Sequence, residues 1–313
     1  MSDPDAALGT MGATPPDAAP ARKEDAPRSL GRDAWEQLRR NPVVIIAGAI
    51  ILVLIVMAIF PGLFTNKDPR NCNGAYTRQG PSSSAWFGYD VQGCDVYART
   101  VFGARASIVV GTLATLAISL IGVSLGMFAG YFGGVIDTLA SRLADIFFGI
   151  PFILGAIIVL TSFPARSQSS FWLPITKVTL ALATLGWPSM FRLTRASVLQ
   201  VRQADYVAAA RALGAGSGRI LLRHVLPNAI QPALVYATIA LGGFIGAEAT
   251  LSYLGVGLTP PVVSWGVAIS DAQAYVRVAP HMLLFPAAFL SITVLAFIML
   301  GDAVRDALDP KLR

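Results

Sequence analysis

Residues 43–60 read VVIIAGAIILVLIVMAIF, a run without a charged side chain. A helix of about 20 apolar residues crosses the roughly 30 Å hydrocarbon core of a bilayer. The composition of the whole chain suits a lipid bilayer, because 54% of its 313 residues are hydrophobic and 13% are charged. A soluble domain carries about 25% charged residues. The sequence therefore predicts an all-α integral membrane protein.

Five further apolar stretches follow this run and predict a total of six transmembrane helices. Charges and Pro151 interrupt the third stretch, and Lys177 lies near one end of the fourth, where its ammonium group can reach the interface. The approximate ranges are 106–132, 139–163, 174–191, 229–252 and 282–301.

The distribution of positive charge predicts the orientation of these helices. With the N-terminus inside, two thirds of the 24 lysines and arginines fall on the inner side. Cytoplasmic segments carry such an excess, so both termini are predicted to be cytoplasmic. Topology thereby explains the net charge of +6, and a nucleic-acid partner is not expected.

This topology divides the chain into three regions. Residues 1–28 are rich in Ala, Pro and Asp and predict a disordered cytoplasmic tail. A short cytoplasmic helix is predicted over 29–42, before a transmembrane domain over 43–313. Within that domain, 62–105 form a long extracytoplasmic loop and 201–228 a cytoplasmic loop.

Both cysteines, Cys72 and Cys94, lie in the extracytoplasmic loop. An oxidising compartment favours disulfides, so we expect a Cys72–Cys94 bridge, with two free thiols as the alternative. Closing a loop of this size stabilises it by about 3 kcal/mol in the chain-entropy model.

Residue types that carry catalysis are scarce. The two histidines, His224 and His281, and the two cysteines lack the spacing of a zinc site. None of the four lysines follows a glycine, as the lysine of a phosphate-binding P-loop does. We therefore predict neither an enzyme nor a metal or cofactor site in this chain. If transport depends on ATP, another subunit must bind the nucleotide.

The loop 201–228 is too polar to cross a membrane. Asp205 is predicted to cap a short helix that ends at Gly214, and Ser217 to cap a second helix that Pro227 helps to end. Such a helix pair suits a groove on a partner protein. The alternative is an amphipathic helix that lies on the bilayer.

The loop contains three alanines at 208–210, Gly214 after three further residues, and Leu226 with Pro227. This pattern resembles the EAA loop of ABC importer permeases. Two positions depart from the pattern, since Ala208 replaces the usual acid and His224 the usual isoleucine. Asp205, one turn earlier, is a candidate for the missing charge. The resemblance assigns coupling to an ATPase to Asp205, Ala208, Ala209, Ala210, Arg211, Leu213, Gly214, Leu226 and Pro227.

The resemblance extends over roughly residues 35–310. Residues 88–105 (GYDVQGCDVYARTVFGAR), 130–151 (GYFGGVIDTLASRLADIFFGIP) and 248–266 (EATLSYLGVGLTPPVVSWG) are similar to the dipeptide, oligopeptide and nickel branch of these permeases. The order of segments and the long first outer loop resemble its second, C-type subunit.

This resemblance implies a type I importer fold in a bacterial plasma membrane. It implies a pathway shared with a second permease, two P-loop ATPase subunits that hold ATP and magnesium, and an extracytoplasmic solute-binding protein. The implied substrate is a di- or oligopeptide. A nickel or other small-solute importer is the alternative within the family, and an ion-coupled secondary transporter is the alternative outside it.

Several single positions carry further expectations. Glu248 is costly in hydrocarbon, and we weigh a role in the translocation path against a structural hydrogen-bonding role. Trp86 and Trp265 suit the outer interface or contact with the binding protein, and simple membrane anchoring is the commoner use of tryptophan. Asp137, Arg142 and Asp145 are expected to form a structural ion cluster rather than a proton relay. Glycines at 111, 122, 126 and 130 predict close helix packing.

Overall fold

The computed structural model describes residues 36–163 and 171–308. The predicted tail 1–28 and the first half of the predicted helix 29–42 lie outside these ranges, and residues 36–40 are helical. Within the described ranges the fold is all-helical, and its only extended pairing is a bridge between Tyr89 and Asp95. The predicted all-α class is therefore confirmed.

After the helical residues 36–40, eleven α-helices follow within the described ranges, and a π-helical turn over Leu221–Val225 joins two of them. They are α1 (Pro42–Ile59), α2 (Val96–Phe132), α3 (Gly134–Phe148), α4 (Phe152–Ser162), α5 (Trp172–Val201), α6 (Asp205–Ala212), α7 (Ser217–Ile220), α8 (Leu226–Ala229), α9 (Gln231–Tyr253), α10 (Trp265–Ala272) and α11 (His281–Leu308).

Four of the described helices are long and apolar enough to cross a membrane, namely α1, α2, α9 and α11. The third predicted span is not one straight helix, because α3 and α4 meet at 90°. Gly149 ends α3 and Pro151 precedes α4, and the residue before a proline is disfavoured in a helical conformation. The fourth predicted span lies in α5, which is not among the helices apolar enough to cross a membrane. The total of six spans therefore remains a prediction.

Close approaches between helices define their directions. Gly122 of α2 faces Met190 of α5, and Gly130 faces Val198. These two helices therefore run parallel. Because they are parallel, the chain must return across the bundle between them, through α3 and α4. We name the end that carries 201–228 the coupling end, and the end that carries both cysteines the disulfide end.

The close α2–α5 contact depends on glycines of α2, because a side chain at these positions would clash with α5. The sequence predicted this role. A Cβ atom on Gly126 would lie 2.7 Å from the carbonyl oxygen of Phe191 and 2.9 Å from Cβ of Thr194. The predicted packing role of the glycines in this helix is therefore confirmed.

We expect Gly126→Ala to destabilise the protein by about 1–3 kcal/mol, because the added methyl group overpacks the α2–α5 contact. Gly243→Ala is the matched control, since Gly243 also lies inside a long helix but a Cβ there meets nothing within 4 Å. Thermal unfolding of both variants in detergent measures the difference. Equal midpoints for the two variants would contradict the packing role.

Cys72 and Cys94 form a disulfide, with Cα atoms 4.1 Å apart, as predicted. The bridge closes the loop in which Asn73 N donates to Gly93 O at 3.1 Å. Arg105 of α2 ties the same end of the bundle to α1. Its Nε donates to Ala58 O at 2.9 Å, and its Nη2 to Ile59 O at 3.1 Å. A cation there complements the negative end of the α1 dipole.

The two tryptophans differ in position. Trp86 is 64% exposed, in keeping with an interface role, but Trp265 is fully buried. The prediction for Trp265 is therefore wrong. Its Nε1 donates to Thr100 O at 2.9 Å, so the indole packs α10 against the start of α2 instead of facing lipid.

Candidate functional site

The first half of the candidate coupling segment is α6, an eight-residue helix. Ala204 occupies the N-cap, and no side chain caps this end, so the predicted cap at Asp205 is wrong. Asp205 lies one position inside the helix, in its first turn. A carboxylate in the first turn still interacts favourably with the helix dipole.

A glycine turn ends α6, as predicted. Gly214 has φ +80°, a conformation that other residues rarely adopt, and a Cβ there would meet nothing within 4 Å. Glycine is thus required for backbone conformation rather than for space. The turn is closed by the amide of Ala215, which donates to Ala210 O at 3.0 Å.

The second half of the segment departs from the prediction at both ends. Gly216, not Ser217, is the N-cap of α7, and no side chain caps it. Pro227 does not end the helical stretch, which continues through the π-helical turn and α8 to Ala229. Proline is tolerated at the start of a helical segment because its missing amide hydrogen is not needed there.

A buried apolar cluster fixes this segment to the coupling end of the bundle. Val207, Ile220, Leu221 and Val225 pack with Met127 of α2 and Val198 of α5. The sequence interpretation did not assign them a role, although apolar side chains at 220, 221 and 225 follow the spacing of one helix face.

Arg202 adds a polar connection at the same junction. Its Nη1 donates to Gly130 O at 2.8 Å and to Tyr131 O at 3.3 Å. The start of the coupling segment is thus joined to the end of α2. A displacement of the segment would therefore act on both α2 and α5.

The predicted coupling residues lie mostly on the opposite, exposed side. Leu213 is 88% exposed at the tip of the turn, which is unusual for a large apolar side chain held in a defined position. Ala210 and Leu226 instead pack against the buried cluster. The exposed members of the predicted set are Asp205, Ala208, Ala209, Arg211, Leu213, Gly214 and Pro227.

Glu248 of α9 is fully buried, and its partners are serine hydroxyls. Ser107 Oγ donates to Oε2 at 2.9 Å, and Ser252 Oγ donates to Oε1 at 2.7 Å. Ser252 Oγ also accepts from Leu258 N at 2.9 Å. This geometry favours the structural alternative, because a side chain without exposed surface cannot contact a passing solute.

A cavity of about 420 Å³ opens beside the bend between α3 and α4. Its walls come from α5 and α9 as well as from the bend itself. They are mostly aromatic and aliphatic, with Tyr236 and Ser189 as polar members. The lining residues are Phe147, Phe148, Ile150, Pro151, Phe152, Leu185, Gly186, Ser189, Tyr236, Ala240, Gly243 and Phe244.

An ion cluster holds α10 at the disulfide end. Arg99 of α2 pairs with Asp90 of the loop and lies 3.7 Å from Oδ2 of Asp271 on α10. Burial raises the pKa of Asp271, Arg99 opposes this shift, and Asp90 adds to it. Two carboxylates thus share one guanidinium, and the raised pKa lets Asp271 take up a proton at a higher pH than an ordinary aspartate.

Family models match two parts of this chain. Residues 122–313 match the model of the binding-protein-dependent transport system inner membrane component. Residues 29–81 match the N-terminal transmembrane domain of oligopeptide transport permease C.

Similar curated proteins extend the match to nearly the whole chain. The dipeptide transport system permease protein DppC of Alkalihalophilus pseudofirmus is 37% identical and covers 95% of both chains. The oligopeptide transport system permease protein OppC of Bacillus subtilis is 38% identical over 91% of both. The glutathione transport system permease protein GsiD of Pectobacterium atrosepticum is 35% identical over 94% of this chain and 95% of its own.

Among solved structures, an inward-facing MetNI methionine ABC transporter has a similar fold. The TM-score is 0.53 at 21% identity, and the match covers 67% of this chain and 96% of that chain. A second crystal form of the same transporter gives a TM-score of 0.52 at 22% identity, over 66% and 95% of the two chains.

Proposed function

This chain belongs to the binding-protein-dependent transport system inner membrane components, the permease subunits of ABC importers, and we propose that it serves an ATP-driven importer of di- and oligopeptides. In this proposal it crosses a bacterial inner membrane six times, with both termini in the cytoplasm. It works with a second permease, two ATPase subunits that hold ATP and magnesium, and an extracytoplasmic solute-binding protein.

The observation that carries the proposal is the two-sided coupling segment. Its underside packs on α2 and α5 through Val207, Ile220 and Val225, and its tip presents an exposed Leu213. A rigidly seated helix with an apolar tip is suited to a groove on a partner. Packing against two long helices would transmit a displacement of the ATPases to the membrane domain.

The cavity beside the α3–α4 bend is our candidate for this chain's share of the pathway. It is bounded by α5, which leads directly into the coupling segment, and by α9, which follows it. Its walls include aromatic rings and the hydroxyls of Tyr236 and Ser189, a mixture compatible with an uncharged or zwitterionic peptide. A facing surface from the second permease would complete the path.

The peptide assignment depends on the relatives. Their names refer to dipeptide, oligopeptide and glutathione transport, and glutathione is itself a small peptide derivative. A nickel or other small-solute importer is the alternative within the family. Uptake of labelled peptides, glutathione and Ni²⁺ by the same reconstituted complex would separate these substrates.

The proposal is tested by purifying the tagged chain in mild detergent and identifying the bound proteins by mass spectrometry. We expect a second permease and P-loop ATPases to be recovered, and peptide uptake to require ATP. A chain that purifies alone and moves solute with an ion gradient and no ATP would contradict the proposal and favour a secondary transporter.

A further inference from the structure

Helix α3 is bounded by a break at each end. At its start, Gly133 has φ +68° and Gly134 φ +59°, and a Cβ on Gly134 would meet nothing within 4 Å. Two consecutive residues in this conformation interrupt the helical path. At its end, the 90° bend separates α3 from α4. A helix between two breaks can move as a rigid body when its side contacts move.

Two ion pairs join α3 to α5. Arg195 forms a two-pronged pair with Asp137, in which Nη2 and Oδ2 are 2.7 Å apart, and the two side chains are 32% and 20% exposed. Arg192 Nη2 lies 2.6 Å from Oδ1 of Asp145. Two-pronged arginine–carboxylate pairs fix orientation as well as distance, so the Asp137–Arg195 pair is the more restrictive of the two.

The spacing of these pairs shows that α3 crosses α5. Asp137 and Asp145 are about 12 Å apart along α3 at the usual rise per residue, whereas Arg192 and Arg195 lie within one turn of α5. Arg192 also lies 3.9 Å from the centre of the Phe148 ring. One turn of α5 therefore holds both ends of α3.

That turn lies between the coupling segment and the cavity. Arg195 precedes the end of α5 at Val201 by less than two turns, and Arg202 follows at the junction with the segment. The far end of α3 supplies Phe147 and Phe148 to the cavity wall. A displacement of α5 would reach that wall through the two ion pairs.

On the basis of the proposed function, we propose that α3 is a moving wall of the pathway and that Asp137 and Arg195 are positioning residues that make it follow α5. The pair transmits the motion of the coupling segment to the cavity and does not itself contact solute. Asp145 and Arg192 steady the cavity end of the same helix.

The test measures the movement of α3 in the full importer complex, with spin labels at Leu139 of α3 and Leu63 of the disulfide end, which are 65% and 75% exposed. Magnesium, ATP and vanadate trap the ATPases closed. We expect the wild-type distance to shift on trapping, and Asp137→Asn or Arg195→Gln to reduce that shift at least threefold. The exchanged pair Asp137→Arg with Arg195→Asp should restore at least half of it.

Arg142→Gln is the matched control, because Arg142 also lies on α3 but is 78% exposed. Its ion pair with Asp145, at 3.6 Å, stays within α3 and does not join it to α5. We expect its shift to equal that of the wild type. If Asp137→Asn does not assemble, two other variants test the inference. We expect the exchanged pair to restore the distance shift and Arg192→Gln to reduce it.

Two results would overturn the inference while leaving the proposed function intact. One is a wild-type complex that hydrolyses ATP while the α3 distance stays constant. The other is an unchanged shift in assembled single variants of Asp137 and Arg195. A wild-type chain that binds no ATPase would contradict the proposed function, and the inference with it.

Discussion

Leu213→Glu is expected to weaken capture of the ATPase subunits about thirtyfold while the chain itself still folds. Leu213 is 88% exposed, so the substitution costs little in the isolated chain. In the proposed complex the side chain enters an apolar groove, and a central apolar contact of this kind contributes about 2 kcal/mol or more. A factor of ten corresponds to about 1.4 kcal/mol.

The measurement is a titration of purified ATPase onto the immobilised permease complex, paired with thermal unfolding of each variant. Leu213→Met is the matched control, because it keeps an apolar side chain of similar length, and we expect binding within about twofold of wild type. Wild-type affinity in the glutamate variant would contradict the coupling role of this turn. The bilayer alternative would then regain support, and vesicle binding would test it.

Glu248→Ala is expected to have the largest effect on stability, a loss of about 3 kcal/mol or more. The substitution leaves the buried hydroxyls of Ser107 and Ser252 without their acceptor, and each unpaired group costs about 1–3 kcal/mol. It also opens a cavity at the contact between α2 and α9.

Glu248→Gln serves as the control, because it keeps the size and shape of the side chain and removes the ionisable carboxyl group. Glutamine keeps the length of the side chain and one acceptor oxygen, so we expect it to retain most of the stability. Thermal unfolding of the detergent-purified chain compares the two variants with wild type. If the alanine variant unfolds at the wild-type temperature but transport is lost, the structural role is wrong and the path role of Glu248 gains support.

Much of the fold was predictable because the physical causes are local. Residues 43–60 contain no charge and must find an apolar solvent, which is the strong constraint behind α1. The turn at Gly214 was likewise predictable, since φ +80° is accessible to glycine at little cost. The same holds for the glycines of α2, whose spacing matches one face of a helix.

Helix capping was predicted less well, although it too is local. Asp205 and Ser217 are frequent capping residues, but each lies one position inside its helix, after Ala204 and Gly216. Start positions depend on where the preceding chain is anchored. Here that anchor is the buried cluster of Met127, Val198 and Val207, which joins segments far apart in sequence.

The sequence by itself determined an apolar helical chain and its glycine turn, because solvent preference and backbone conformation act within a few residues. The disulfide was predictable for a different reason, since Cys72 and Cys94 are the two cysteines of the chain and lie in one extracytoplasmic loop. Tertiary structure alone decided the burial of Trp265, the pairing of Ser107 with Glu248 and the crossing of α3 over α5. Ser107 and Glu248 are 141 positions apart, and Asp137 and Arg195 are 58 apart. Such pairs exist only after packing brings distant helices together, since hydrogen bonds and ion pairs act over a few ångströms.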